Sequence, residues 1–109
     1  MVQFVSTHWT AAGSDGEGKV AFSGRERIEI DPEYYWRLDQ RMDALNERGF
    51  VCAPVLLWSG SEDVNPVMGL PEDQAVVLAR YLVARYGAHR VVWILGGDGG
   101  YTAPKWKRM

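Results

Sequence analysis

The sequence contains little cysteine and little histidine, which excludes several kinds of site. Cys52 is the single cysteine among 109 residues, so one chain can form neither a disulfide framework nor a cysteine-based metal site. The two histidines, His8 and His89, are far apart in the sequence and do not form a metal-ligand pair at helical spacing. We therefore predict no metal and no other cofactor for this chain.

Excess charge and long apolar runs are also scarce. The formal net charge is −2 and the pI about 5.6, which gives no electrostatic footprint for nucleic acid and no basic face for a membrane surface. No apolar run approaches the length of a membrane span, and the N-terminus lacks the features of a secretory signal. The sequence as given therefore predicts a cytoplasmic protein, unless a signal lies upstream in a longer chain. The basic C-terminal stretch "KWKRM" predicts a solvated end.

What the sequence does contain is a regular alternation of apolar runs and amphipathic segments. The runs at residues 2–6, 51–58 and 91–95 are nearly continuous rather than alternating, which is typical of parallel strands covered on both faces. The length is enough for one small domain, and we assign residues 1–109 to a single unit.

Two helices are predicted between these runs. Asp31 is a good N-cap, Pro32 fits the first helical position and Gly49 fits the stop of the first helix. The second helix begins near Pro71 and ends at Gly87. Apolar stripes at helical spacing predict the buried faces. They comprise Tyr34, Tyr35, Leu38, Met42 and Leu45 in the first helix, and Ala75, Val76, Ala79, Leu82, Val83 and Tyr86 in the second.

The predicted fold class is therefore α/β, with the order β-α-β-α-β and parallel strands joined by right-handed crossovers. The long connections, residues 7–30 and 59–70, both follow strands, whereas the turns after the helices are short. These loops leave the carboxyl ends of the strands, the edge at which α/β proteins place their sites. We expect a functional site there.

Polar and aromatic residues follow all three predicted strands. They are Ser6, Thr7, His8 and Trp9 after the first, Trp58 and Ser59 after the second, and Gly97, Asp98 and Tyr101 after the third. Tryptophan faces can stack on the C–H faces of sugar rings, while the polar groups bind hydroxyls. Asp98, if desolvated by neighbouring tryptophans, would have a raised pKa and could act as a general acid.

Each candidate also has a purely structural interpretation. Trp9 and Trp58 could cap the core, His8 could be a structural hydrogen-bonding residue, and Asp98 could organise a glycine turn. Three loop acids on the same edge, Glu17, Glu62 and Asp63, are interpreted as solvated charges. His89 is assigned to the opposite end of the sheet as a structural residue, and Trp93 and Cys52 to the core.

The run "GGDGG" allows a different hypothesis. A glycine-rich loop after a strand can cradle phosphate when a helix N-terminus follows it, and the run is similar to the "GGDG" nucleotide loop of lipid and NAD kinases. Those kinases continue directly into a helix, whereas "YTAPKWKRM" is too short to predict one. Nucleotide binding therefore remains the weaker alternative.

The segments "DPEYYWRLDQRMDALNERGFVCAPVLLW" and "LPEDQAVVLARYLVARYGAHRVVWILGGDGGY" resemble the apiosidase-like glycoside hydrolases. The most specific part is "ARYLVARYGAHRVVWILGGD", and the resemblance covers residues 2–101. It implies a TIM (β/α)8 barrel, of which this chain would supply strands 2 to 4. It also implies an acid/base role for Asp98, which matches the carboxylate at the end of strand 4 in the related clan of retaining glycosidases. Most of that clan has Asn-Glu where this chain has Gly97-Asp98.

By the same placement, His8, Trp9, Trp58 and Tyr101 become candidate substrate-binding residues. A retaining mechanism needs a second carboxylate about 5 to 5.5 Å from the acid, and in these barrels it comes from strand 7, which this chain lacks. We therefore expect a segment of a glycoside hydrolase acting on plant-type polysaccharide side chains, inactive alone. We expect its exposed sheet edges to be covered by self-association or by the remainder of the barrel. The alternative is a non-catalytic carbohydrate-binding or scaffold module.

Overall fold

Parallel strands and two amphipathic helices form the framework of the computed structural model, which describes residues 1–9, 12–58, 67–97 and 101–108. The elements are β1 (Val2–Val5), β2 (Phe22–Ser23), β3 (Glu29–Ile30), α1 (Pro32–Glu47), β4 (Cys52–Val55), α2 (Glu72–Tyr86) and α3 (Pro104–Arg108). The predicted α/β class is confirmed. The described residues form no closed barrel.

The sheet has the predicted parallel arrangement. β1 pairs with β4 in a register that places Val2 opposite Cys52 and Val5 opposite Val55. The 91–95 segment lies along the other side of β4, where Val91 and Ile94 form parallel bridges. Backbone hydrogen bonds join this segment to β4; for example, Val92 N–H donates to the Cys52 carbonyl at 2.9 Å. β4 is therefore central and completely buried, with β1 and the 91–95 segment on its two sides.

The start and end of α1 agree with its sequence signals. The Asp31 carboxylate accepts a hydrogen bond from Glu33 N–H at 2.9 Å, Pro32 occupies the first turn and Gly49 has φ of +86° just beyond the helix. The stripe is also confirmed, because Tyr35 and Met42 are fully buried and the remaining members contact the core.

The predicted stripe of α2 is correct for Ala75, Leu82 and Tyr86 but shifted on one side. Leu78 is fully buried although we do not predict it, and Val83 is 41% exposed although we do. The two helices are joined by Arg85, whose guanidinium donates to both carboxylate oxygens of Asp39 at 2.8 and 2.6 Å. This bidentate pair joins α2 to α1.

Two expectations about irregular segments are wrong. The first long loop contains the antiparallel pair β2–β3, with Phe22 opposite Ile30 and Ser23 opposite Glu29. The C-terminal stretch forms α3, in which Trp106 is only 8% exposed. Arg108 donates to Glu72 at 2.9 and 2.6 Å and so attaches α3 to the start of α2.

Candidate functional site

The carboxyl ends of the three sheet segments lie together, as the sequence predicts. Trp9 follows β1 and Trp58 follows β4, and their rings contact edge to face with centroids 5.5 Å apart. Edge-to-face packing at this distance is a favourable geometry for aromatic pairs. We call Trp9, Trp58, Gly97 and Tyr101 the tryptophan rim.

The backbone around Trp9 is held by a short bridge. Trp9 N–H donates to the Ala12 carbonyl at 3.0 Å, and Ala12 N–H donates to the Trp9 carbonyl at 2.9 Å. The backbone N–H and carbonyl of Trp9 are therefore both paired with Ala12, which holds the Trp9 backbone beyond the end of β1.

The Trp58 ring packs against Gly97, which follows the 91–95 segment of the sheet. A Cβ atom placed on Gly97 would overlap ring atoms Cζ3 and Cε3 of Trp58, so the indole lies directly against this glycine. The Tyr101 hydroxyl donates to the Gly97 carbonyl, and the Tyr101 ring packs edge to face on Trp106 at 5.1 Å. The rim is thus continuous from β1 to α3, and it combines aromatic faces with a phenol.

His8 directly precedes Trp9 and is buried. Its side chain is buried to 9% exposure, its ring packs on Phe22 with centroids 5.0 Å apart, and Ala21 N–H donates to its Nδ1 at 3.1 Å. Burial lowers the pKa of His8 below its ordinary value of 6.5, because desolvation penalises the imidazolium. The ring therefore anchors β2 to the end of β1.

Two polar residues precede His8 at the end of β1. The Ser6 hydroxyl donates to the Val55 carbonyl at 2.7 Å and joins β1 to β4. Thr7 is 2% exposed, and its Oγ1 has no hydrogen-bond partner among the described residues. Ser6 is therefore structural, whereas the Thr7 hydroxyl retains unused hydrogen-bonding capacity at this edge.

The remaining candidate residues are not part of the tryptophan rim as the structure describes it. Asp98, the predicted catalytic acid, lies outside the described residues, as do Ser59, Glu62 and Asp63. Glu17 lies in the exposed turn that begins at Asp15. His89 lies in the turn after α2, where its Nε2 is 2.8 Å from Asp43 Oδ1, and this contact agrees with a structural role.

One organising residue, Asp15, is missed by our sequence analysis. Its Oδ1 accepts from the backbone N–H groups of Glu17 and Lys19 at 2.9 Å each, and its Oδ2 accepts from Arg37 Nε at 2.7 Å. Burial tends to raise the pKa of Asp15, but these hydrogen bonds outweigh it and the pKa is lowered. The stretch "SDGEG" is the available signal, because Asp before Gly commonly organises turns.

The described residues were also compared with the requirements of a metal site and of a membrane-spanning helix. Within residues 1–9, 12–58, 67–97 and 101–108, no three histidine, cysteine or acidic side chains come together in a way that could hold a metal ion. Over the same ranges, no helix has the length and apolar character needed to cross a membrane.

Comparison with known proteins gives one match. The model of the family described as "Apiosidase-like, catalytic domain" matches residues 1–109. No curated protein and no solved structure is significantly similar to the chain. The family match spans every element described above, including the three that contribute to the tryptophan rim.

Proposed function

Because the chain belongs to the family of apiosidase-like catalytic domains, a glycoside hydrolase family, we propose that it forms part of the sugar site of such an enzyme. The observation that supports this proposal most strongly is the contact of Trp9 with Trp58, at 5.5 Å, across the carboxyl ends of β1 and β4. Two indoles held edge to face offer an apolar wall on which the C–H face of a sugar ring can stack.

In this proposal the residues of the tryptophan rim make different kinds of contact with the sugar. Trp9 and Trp58 provide the apolar surface, and Tyr101, which is 36% exposed, offers its ring and phenol at the edge. His8 supplies a polar group after the end of β1. Asp98, which directly follows Gly97 in the sequence, is the acid/base carboxylate of this proposal. A general acid must be protonated, and apolar surroundings favour the protonated form of a carboxylic acid by raising its pKa.

Catalysis by a retaining mechanism would need a second carboxylate on the other side of the scissile bond. We propose that this nucleophile is not supplied by the present chain, whose 109 residues compare with about 250 for a typical (β/α)8 barrel. The substrate class we propose is the side chains of plant-type polysaccharides. The isolated chain would then bind a sugar weakly and hydrolyse nothing.

A binding experiment with D-apiose, the sugar in the family's name, tests the role of the rim. We expect NMR titration of the chain to show binding that weakens about tenfold or more in Trp58→Ala, a loss of about 1.4 kcal/mol. Trp36→Ala is the matched control, because Trp36 is 63% exposed on α1. Equal weakening in both variants, or no binding to the unmodified chain, would count against the proposal.

Hydrolysis of a 4-nitrophenyl glycoside tests the catalytic part. We expect no turnover by the chain alone. Turnover that Asp98→Asn abolishes would show that the chain carries a complete catalytic site and would refute the proposed absence of the nucleophile. A non-catalytic binding module predicts that Asp98→Asn leaves sugar affinity unchanged, and the nucleotide-loop hypothesis predicts a rise in melting temperature with ATP or NAD.

Two cavities, each lined by both apolar and charged side chains, support the proposal that the sheet edges are covered by further protein. One, of about 230 Å³, lies beside β1, where Phe4 and Leu38 contribute to its wall. The other, of about 490 Å³, lies beside the 91–95 segment, where Leu95 and Val83 contribute. Both contain side chains that would be desolvated by another strand and helix.

We propose that a second copy of the chain covers these surfaces in solution when the remainder of the barrel does not. Analytical ultracentrifugation at micromolar concentration should then show a dimer or larger species, which Val83→Glu shifts toward monomer. Val77→Glu is the control, because Val77 is 46% exposed on α2 but does not line the cavity. A compact monomer for the unmodified chain would overturn the self-association proposal.

A further inference from the structure

The two ring nitrogens of His8 have different environments. Ala21 N–H donates to Nδ1 at 3.1 Å, so Nδ1 must offer its lone pair and cannot carry a proton. In a neutral imidazole one nitrogen is protonated and the other is not. The proton of the neutral His8 ring therefore lies on Nε2.

The surroundings of His8 favour this neutral ring over the imidazolium. The side chain is 9% exposed, and one face packs on Phe22 at 5.0 Å with an interplanar angle of 52°. Protonation of Nδ1 would place its N–H against the Ala21 N–H and break the bond that holds β2 to the end of β1. Burial also lowers the pKa of His8, which acts in the same direction.

Nε2 is the nitrogen that the fold leaves for another partner. His8 forms its one hydrogen bond within the described residues through Nδ1. The residue directly precedes Trp9, whose ring is part of the tryptophan rim. The adjacent Thr7 hydroxyl is buried without a hydrogen bond to any described residue, so a second polar group at this strand end also lacks a partner.

We infer that His8 is a fixed hydrogen-bond donor that presents Nε2–H to an oxygen of the bound sugar, and that it is neither the general acid nor the general base. To accept a proton on Nε2 as a general base, the neutral ring would have to carry its proton on Nδ1. To donate a proton from Nε2 as a general acid, the ring would have to be the imidazolium, with both nitrogens protonated. Either state puts a proton on Nδ1 and loses the Ala21 hydrogen bond. The identity of the ligand rests on the proposed function, whereas the tautomer does not.

Long-range ¹H–¹⁵N correlation NMR of the unmodified chain tests the tautomer without any ligand. With only two histidines in the sequence, the His8 signals are assigned by their loss in His8→Asn. We expect the ¹⁵N shift of Nδ1 to be that of an unprotonated nitrogen and the shift of Nε2 to be that of a protonated one at neutral pH. A protonated Nδ1, or an even mixture of tautomers, would overturn the inference.

Two variants of His8 then test the interaction of each ring nitrogen separately. In His8→Asn the side-chain oxygen can still accept from Ala21 N–H, but the Nε2–H donor is gone. We expect it to melt close to the unmodified chain and to bind D-apiose about tenfold more weakly. His8→Ala should lose both stability and binding, because it removes both interactions.

The outcomes distinguish this inference from the proposed function. If D-apiose binds to His8→Asn and to the unmodified chain equally well, His8 does not contact the sugar and the inference fails while the proposed function stands. If neither chain binds D-apiose although the tautomer is as expected, the proposed function fails for this chain, and the ligand role of Nε2–H fails with it.

Discussion

The replacement of Gly97 by alanine gives the sharpest test of how the tryptophan rim is built. A methyl group at this position would overlap Cζ3 and Cε3 of Trp58, which belong to a rigid ring rather than to the end of a flexible chain. The backbone of Gly97 does not have a positive φ, so alanine introduces no strain of its own. Any cost of Gly97→Ala must therefore arise from movement of the indole.

The magnitude follows from the contacts that the indole would lose. Forcing an additional methyl group into a filled space costs about 1 to 3 kcal/mol, and the contact with Trp9 contributes about 0.5 to 1.5 kcal/mol beyond its buried area. We expect Gly97→Ala to destabilise the fold by about 1 to 3 kcal/mol in the presence of Trp58. In the Trp58→Ala background we expect it to be neutral or to stabilise by up to about 1 kcal/mol, because alanine restricts the unfolded chain.

The assay is a double-mutant cycle by urea unfolding, followed by far-ultraviolet circular dichroism so that the signal does not depend on Trp58. A coupling free energy of about 1 to 4 kcal/mol between positions 58 and 97 is expected, the difference between the two backgrounds. Gly13→Ala is the control, because a methyl group there would have no neighbour within 4 Å. An equal effect of Gly97→Ala in both backgrounds would refute the packing of Trp58 on Gly97.

Three further predictions concern stability. Met42→Ala should cost about 2 to 5 kcal/mol in urea unfolding, because Met42 is fully buried on α1; a cost below about 1 kcal/mol would show that it is not in the core. Gly49→Ala should cost about 1 to 2 kcal/mol, measured by the same method, because φ is +86° there and an L-residue is strained. Burial lowers the pKa of His8, so below pH 6.5 the unfolded chain binds more protons at this residue than the folded chain does. The free energy of unfolding should therefore fall as the pH is lowered from 6.5 toward the folded pKa, and His8→Asn should weaken this dependence.

The two long helices could be predicted because their signals are local. Asp31, Pro32 and Gly49 act within one turn of the helix that they begin or end, and their roles do not depend on the rest of the fold. Parallel pairing of β1 with β4 also follows from chain order, since a crossover helix requires it. The gathering of Trp9 and Trp58 at one edge is a consequence of that pairing.

The β2–β3 pair could not be predicted because its stability comes from distant parts of the chain. Each strand has two residues, too few for a period-two pattern to be visible. The pair is held by Ala21 N–H on His8 Nδ1 and by Ile28 N–H on Gln74 Oε1 at 3.0 Å. These contacts join it to β1 and α2, which no local pattern in residues 7–30 reveals.

The shifted face of α2 has a related cause. Helical spacing identifies an apolar stripe but not which of its margins faces the core when the apolar residues extend around the helix. Val76 and Val83 lie two turns apart on one side of α2, at the margin of the core-facing stripe, and the packing of Leu78 and Leu82 into the core leaves Val83 beside the cavity at Leu95. Val83 therefore belongs to a surface that further protein would cover under our proposal.

Most of the clan that the sequence resembles has Asn-Glu where this chain has Gly97-Asp98, and the packing of Trp58 gives a physical reason for glycine at position 97. The indole of Trp58 fills the volume into which a side chain at position 97 would extend. Glycine at position 97 and tryptophan at position 58 therefore depend on each other. Restoring asparagine alone should therefore displace Trp58 and damage the rim, and it could be tolerated only together with a smaller residue at position 58.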